Sequence, residues 1–533
     1  MHRIVVAAVM AAALGAAAVQ DPHQHDTGRF GTVVFANSCA AAVQPAFARG
    51  MALLHSFEFG LAIDAFGGVA AADPGCGIAV WGIGLAQWGN PFSPAPRPAA
   101  QLQAGRASAQ RARSIGAKSD RERGYIEAMA ALYDRFESRD QAARMIAYRD
   151  AMGRLVEAYP DDSEAKAFYS LALAAAANPA DKSYADQLRA GAILEALWKA
   201  QPNHPGLAHY IIHAYDAPAL AAKAAEAARR YAEIAPDAPH ALHMPSHTFT
   251  RVGDWQPSID TNIQSAAAAR RAGSVYEELH AIDYEVYAYL QTGQDARALA
   301  LVAEAPRIAA RKNITSGAAP AVAGDYAAAA IPARYALERG AWADAARLPP
   351  LVSTTLYAEA VSWFARGLGA ARSGDARIAS DAIGQLQSRG DRLLGQGDKY
   401  WAEQVAIQKE IVTAWIALPE GRSAGALAAM RGAADREDAT EKAAITPGPL
   451  APARELLAEM LLQMKRPQEA LVEFRKTMAK EPNRFRGLAG AANAAAQAGD
   501  AAAAREYRRR LASICAKGDR PGRPELQVAR RAR

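Results

Sequence analysis

The strongest constraint on this chain is a recurring pair of short apolar helices that cannot bury itself alone. Leu456 to Pro482 reads LLAEMLLQMKRPQEALVEFRKTMAKEP: an apolar helix, a polar turn, Ala470 and Phe474 four apart, then a closing proline. The next unit sets a Gly499-Asp500 turn and Ala504 at the corresponding points, so Ala470 and Ala504 are 34 residues apart. Gly50 to Pro74 repeats the grammar with Ala62, Phe66 and Pro74 at the small, aromatic and proline positions. Small residues let two helices approach, the aromatic fills the space beside them, and proline stops the second helix. Looser units fall around 163–200, 205–236, 239–271, 276–305, 325–350 and 357–390. Composition agrees: 51% of residues are hydrophobic but only 7% aromatic, and alanine, the best helix former, dominates the apolar set. Alternating Val/Ile/Thr runs that strands would need are nearly absent.

This pattern resembles the tetratricopeptide repeat (TPR) family, specifically at both ends and more loosely between. The resemblance implies an all-α superhelical array of helix–turn–helix units whose concave groove can hold a peptide or protein partner. The expected division is a signal peptide over 1–18, a flexible N-terminus over 19–40, and a first array over 41–310. Middle repeats over 311–434, a connection over 435–452, a C-terminal repeat pair over 453–515 and a basic tail over 516–533 follow.

Arg3 followed by the apolar run Ile4 to Val19, with Ala16-Ala17-Ala18 before polar Gln20-Asp21-Pro22, reads as a secretory signal cleaved near Ala18. The expected location is periplasmic or secreted, with no transmembrane segment in the mature form. In such a compartment Cys39 and Cys76 can pair as a disulfide, leaving Cys515 as a buried thiol. The net charge of +6 is well mixed in sign, and its basic clusters, Arg508–Arg510 and Arg530–Arg533, carry no interleaved aromatics. Nucleic acid is therefore not an expected partner. Trp81 and Trp88 read as core.

The histidines carry the chemistry. Of eleven, eight lie between 55 and 280: His55, His204, His209, His213, His240, His243, His247 and His280. Residues 204–216 read HPGLAHYIIHAYD and 240–255 read HALHMPSHTFTRVGDW. Each contains H-x-x-x-H, His209 with His213 and His243 with His247, which puts two imidazoles on one helix face. The pairs are offset by 34 residues, one repeat, so stacked helices bring them near each other. Pro245 threatens the second pair unless it sits in a first helical turn. A second register places His280 and Asp283 on the same stripe, while His55 would have to arrive from the N-terminal unit.

The candidate metal ligands are thus His55, His209, His213, His240, His243, His247 and His280. Asp216, Asp283 and His204 are candidate acceptors for the ligands' other ring N–H. Neutral imidazole suits copper or zinc, and iron also fits; the shortage of carboxylates argues against calcium and magnesium. Two three-histidine sets would make a dinuclear centre, with either His55 or His240 as the sixth donor. These two stretches, with LHSFEF upstream and PGPLAPAREL (447–456) downstream, resemble a group of exported bacterial TPR proteins. That resemblance implies one site and supplies no substrate.

No G-x-S-x-G elbow, P-loop or dinucleotide fingerprint is present. Glu437, Asp438 and Glu455 are candidates for an acidic patch in the groove. The expectation is an exported TPR-type protein with a mono- or dinuclear copper or zinc site, which could serve a metalloenzyme acting on a small molecule. The alternatives are a metal-free periplasmic scaffold for a peptide or protein, and a metal storage or delivery protein.

Overall fold

The computed structural model describes residues 28–93, 96–315 and 317–531. The expected signal peptide, and residues 19–27 with His23 and His25, lie outside the described residues. Those described form 26 α-helices and no strand. Each helix packs on its neighbours in sequence, giving a superhelical array of TPR-like helix pairs. No helix among the described residues is long and apolar enough to cross a membrane.

A Gly-Asp pair makes several of the turns. Gly374, Gly397 and Gly499 have φ of 90°, 78° and 84°, a left-handed conformation that costs glycine least. Asp375, Asp398 and Asp500 then cap the following helices, accepting from the N–H of Ile378, Trp401 and Ala503. Between paired helices the small residues admit aromatics: a β-carbon on Gly50 or Gly82 would lie 2.8 or 2.6 Å from the Phe66 ring, and one on Gly490 2.2 Å from Phe474.

The array winds around one helix, Val275–Gln291, in which every residue but Tyr276 is buried. It packs against the helices Trp255–Ala272, Asp295–Ala309 and Ala321–Glu338, and it touches Phe485–Gln497 from the far end of the chain. Buried ion pairs fasten these turns. Arg334 binds Asp283, and Arg484 binds Glu338 and Glu455 while donating to the Tyr287 hydroxyl. Glu455 is therefore a partner of Arg484 rather than part of an open acidic patch.

Three expected boundaries differ. Residues 28–40 are not a loose end: Phe30, Val33 and Phe35 are buried, Thr32 N–H donates to the Asn203 carbonyl, and Ser38 donates twice to Glu122. Three large apolar side chains in six residues explain this, because an irregular extended segment with a turn at Gly31 (φ 83°) can lay all three against the helices. The helix Ser423–Ala439 runs into the expected connection, leaving 440–451 irregular. The basic tail is docked: Pro524–Arg531 is a helix with Leu526 and Ala529 buried, and Arg523 pairs with Asp295. Cys39 and Cys76 are joined by a disulfide, and Cys515 is a buried thiol. Trp81 and Trp88 are buried in the core.

Gly490→Ala should therefore lower stability by about 1–3 kcal/mol through overpacking against Phe474. Gly384→Ala, where a β-carbon meets open space in an exposed helix interior, should raise it by about 0.5–1 kcal/mol. Thermal and urea unfolding followed by helical circular dichroism checks both.

Candidate metal centre

His209 and His213 stand on helix Pro205–Ala214, one turn apart and facing the same way. His240 and His243 lie on the short helix Pro239–His243, and His247 on Pro245–Val252. Pro245 occupies the first position of its helix, where no N–H is needed, and Met244 keeps helical dihedrals of −54° and −35°. The helical course therefore continues and the His243–His247 relation survives the proline. His280 projects from the buried helix Val275–Gln291.

The imidazoles divide into two groups of three: His209, His213 and His240, and His243, His247 and His280, with donor atoms in each within 4.8 Å of one another. All six side chains are buried. The groups are adjacent, with ring centres of His213 and His247 6.2 Å apart and those of His240 and His243 6.3 Å apart. The two H-x-x-x-H pairs thus serve separate groups, and helix 239–252 contributes to both.

The other ring nitrogens decide what these groups can do. His209 Nδ1 lies 2.7 Å from the His55 carbonyl oxygen, an acceptor freed by the end of helix Gln44–His55. His243 Nδ1 lies 2.7 Å from Asn262 Oδ1, whose amide nitrogen donates to the Ser258 carbonyl. His247 Nδ1 lies 3.0 Å from Asp216 Oδ2. Each acceptor takes an Nδ1–H, so a neutral ring turns a bare Nε2 inward. His243 Nε2 and His247 Nε2 then face each other at 3.2 Å with no proton between them, and His209 Nε2 faces His240 Nε2 at 3.1 Å. A tetrahedral ion with metal–nitrogen bonds of about 2.0–2.1 Å places its donors about 3.3 Å apart, so both spacings suit one. His213 Nε2 and His280 Nδ1 are buried without a hydrogen-bond partner.

Burial keeps these rings neutral. It pushes His209 and His280 down to about 3, and His213, His240 and His243 well below the ordinary histidine value, with the neighbouring imidazoles adding to the effect. His247 is lowered chiefly by burial and by Lys442, against the opposing pull of Asp216. Burial alone would raise the Asp216 carboxyl; Lys442 and Arg251 hold it well below the usual range.

Asp216 accepts from His247, from Arg251 at 2.8 Å and from Lys442 at 3.2 Å. Lys442 belongs to segment 440–451, which crosses over the second group. Tyr284 Oη lies 3.3 Å from His247 Nε2 and within hydrogen-bond reach of the Ala444 and Thr446 carbonyls. Arg334 binds the same segment at Thr446, Gly448 and Pro449. Phe57 packs on the other side, against His209, His213 and His240.

Three expected residues sit elsewhere. The His55 side chain is outside both groups: Nε2 lies 2.8 Å from Glu164 and Nδ1 2.9 Å from Tyr210 Oη. His204 Nε2 lies 2.8 Å from the other Glu164 oxygen and reaches none of the six rings. Asp283 is held by Arg334 and takes no N–H from a ligand-candidate histidine. Asn262, Glu164, Arg251 and Lys442 carry no local motif that singles them out in the sequence.

No protein-family model matches the chain, and no curated protein matches it. Among solved structures, a monomeric mutant of IFIT1 with Gppp-AAAA is 11% identical at a TM-score of 0.39, covering 82% of this chain and 90% of that one. The human IFIT1 dimer with PPP-AAAA gives 11% and 0.37, covering 90% and 96%. Yeast Tom70 gives 10% and 0.29, covering 92% and 95%. At these scores the likeness carries no argument about ligand or activity.

Acid should weaken the metal-free protein through these rings. Unfolded histidines take protons near pH 6.5 whereas folded His209 and His280 do so only near 3, so stability is full above about 6.5 and lost as pH falls through that window. The thermal midpoint should fall between pH 6.5 and 5, before most carboxylates titrate, and His280→Leu should flatten that fall.

Proposed function

We propose that the chain is an exported transition-metal protein whose two three-histidine groups hold a pair of copper ions. The observation that carries this reading is that His243 Nε2 and His247 Nε2 face each other at 3.2 Å while each ring's Nδ1 lies against an oxygen acceptor, Asn262 Oδ1 or Asp216 Oδ2. Neutral imidazoles with no carboxylate among the six donors suit copper or zinc and exclude hard, oxygen-seeking ions. The two groups are neighbours, with ring centres of His213 and His247 6.2 Å apart and those of His240 and His243 6.3 Å apart, so they would hold two ions side by side.

A copper pair supplies dioxygen chemistry, and a zinc pair would activate water. The chain's own part is to hold and shield. Asp216 raises the donor strength of His247 and fixes its ring, Asn262 does the same for His243, and the His55 carbonyl for His209. Segment 440–451 and Phe57 exclude bulk water. This closure favours retained ions over rapid transfer to a carrier, and the buried rings cannot face a peptide in the groove. The Cys39–Cys76 disulfide supports the exported reading, since such bonds persist in oxidising compartments.

Protein purified without a histidine tag and loaded with copper should contain a coupled pair lacking the electron paramagnetic resonance signal of isolated Cu(II). His209→Ala or His247→Ala should break the pair and leave an uncoupled, visible ion. Copper that is fully visible in the wild type, or variants that load and couple like it, would refute the pair; zinc taken up in its place would select the hydrolytic version. Asp216→Asn should weaken metal binding about 10–100-fold, read by competition with a chelator.

A further inference from the structure

A third group of donors lies apart from the pair. His55 ends helix Gln44–His55, Glu164 opens helix Ser163–Ala175, and His204 precedes helix Pro205–Ala214. Their donor atoms lie within 4.8 Å of one another, and all three side chains are at most 2% exposed. We propose that His55, Glu164 and His204 form a separate, closed site for one divalent transition ion, with zinc as the natural occupant.

A buried carboxylate needs a cation, a proton or a metal. Glu164 has no lysine or arginine partner among the described residues; its ion-pair contacts are the two imidazoles. The geometry then selects a metal fit. Glu164 Oε2 faces His55 Nε2 and Oε1 faces His204 Nε2, both at 2.8 Å. A fork whose two oxygens each face a different imidazole can close on one ion with the carboxylate and two nitrogens, the two-His-one-Glu donor set that holds zinc in other proteins.

The surroundings suit that role. Tyr210 Oη, 2.9 Å from His55 Nδ1, can take that ring's N–H and leave Nε2 bare. Phe168 stacks on the His55 ring. Gly206 allows the two rings to meet: a β-carbon there would lie 2.3 Å from His55 Nδ1 and 3.1 Å from His204 Cε1. An ion here would tie three helices together. It would also set the His55 carbonyl that holds His209, so it would brace the pair without belonging to it. Neither the buried charge of Glu164 nor the way its two oxygens face the two rings depends on the pair.

Zinc alone is the probe. The full chain is reconstituted, dialysed against a weak chelator and counted by elemental analysis, with helical circular dichroism as the fold check. Wild type should retain three zinc ions, His209→Ala/His247→Ala one, and Glu164→Gln one fewer than wild type. A folded double variant with no zinc, or Glu164→Gln with the wild-type count, overturns the third site and leaves a hydrogen-bonded cluster. If the double variant does not fold, wild type against Glu164→Gln decides by the same one-ion difference. Should wild type hold a single zinc that persists in the double variant and vanishes in Glu164→Gln, the third site stands, the six-histidine groups do not take zinc, and copper loading alone decides the pair.

Discussion

Helix Val275–Gln291 has almost no solvent face, and the rest of the array is arranged to cover it. A helix buried all round must satisfy each polar side chain it carries inside the protein. Asp283 does so through Arg334, Tyr284 through the Ala444 and Thr446 carbonyls, and Tyr287 through Arg484. Arg334 and Arg484 come from later repeats, so the far half of the chain is drawn back over the first. Segment 440–451 owes its position over the histidines to those bonds.

Closure sets the electrostatics. Removing water from six imidazoles keeps them neutral, which preserves their lone pairs for a metal and makes protonation costly. The same burial would make Asp216 expensive as an anion, but Arg251 and Lys442 compensate it. The two groups are consequently unlike. His247 gives its N–H to a carboxylate, whereas His209 gives its own to a neutral carbonyl at a helix end. A carboxylate partner makes the opposite ring nitrogen a stronger donor, so the second group is the better electron donor of the two.

The fold was legible because helix pairing is a local matter. Ala470, Phe474 and Pro482, and the Gly499-Asp500 turn, act within one unit, so their spacing is visible in the chain. The histidine groups were partly legible for the same reason: His209 with His213, and His243 with His247, are neighbours on a helix. Their division into two groups was not, since it depends on how helix 239–252 crosses its neighbours and on Met244 staying helical before Pro245. His55 illustrates the limit. Its place in LHSFEF suggested a side chain among the six clustered imidazoles, yet what it brings to them is its backbone carbonyl, exposed by the end of its helix, which meets His209. Asn262, Glu164 and Lys442 left no signal, because a single polar residue in a helix or connection looks the same whether it faces water or a buried ring. Residues 28–40 misled for the opposite reason: a polar start hid the apolar anchors Phe30, Val33 and Phe35.

The facing nitrogens bear on how such a protein could fold at all. His243 and His247, each with its Nδ1 proton held by Asn262 or Asp216, bring two lone pairs to 3.2 Å in a site from which water is excluded. Tyr284 Oη lies 3.3 Å from His247 Nε2, and the carbonyls of segment 440–451 compete for its proton. The metal-free arrangement therefore sets two lone pairs against each other, and a cation between them would relieve that repulsion. Binding energy of this kind favours the folded state by mass action. Because Tyr284 and Lys442 join the cover to His247 and Asp216, the ion would also favour the closed cover. Metal retention and closure over it would be two readings of one equilibrium.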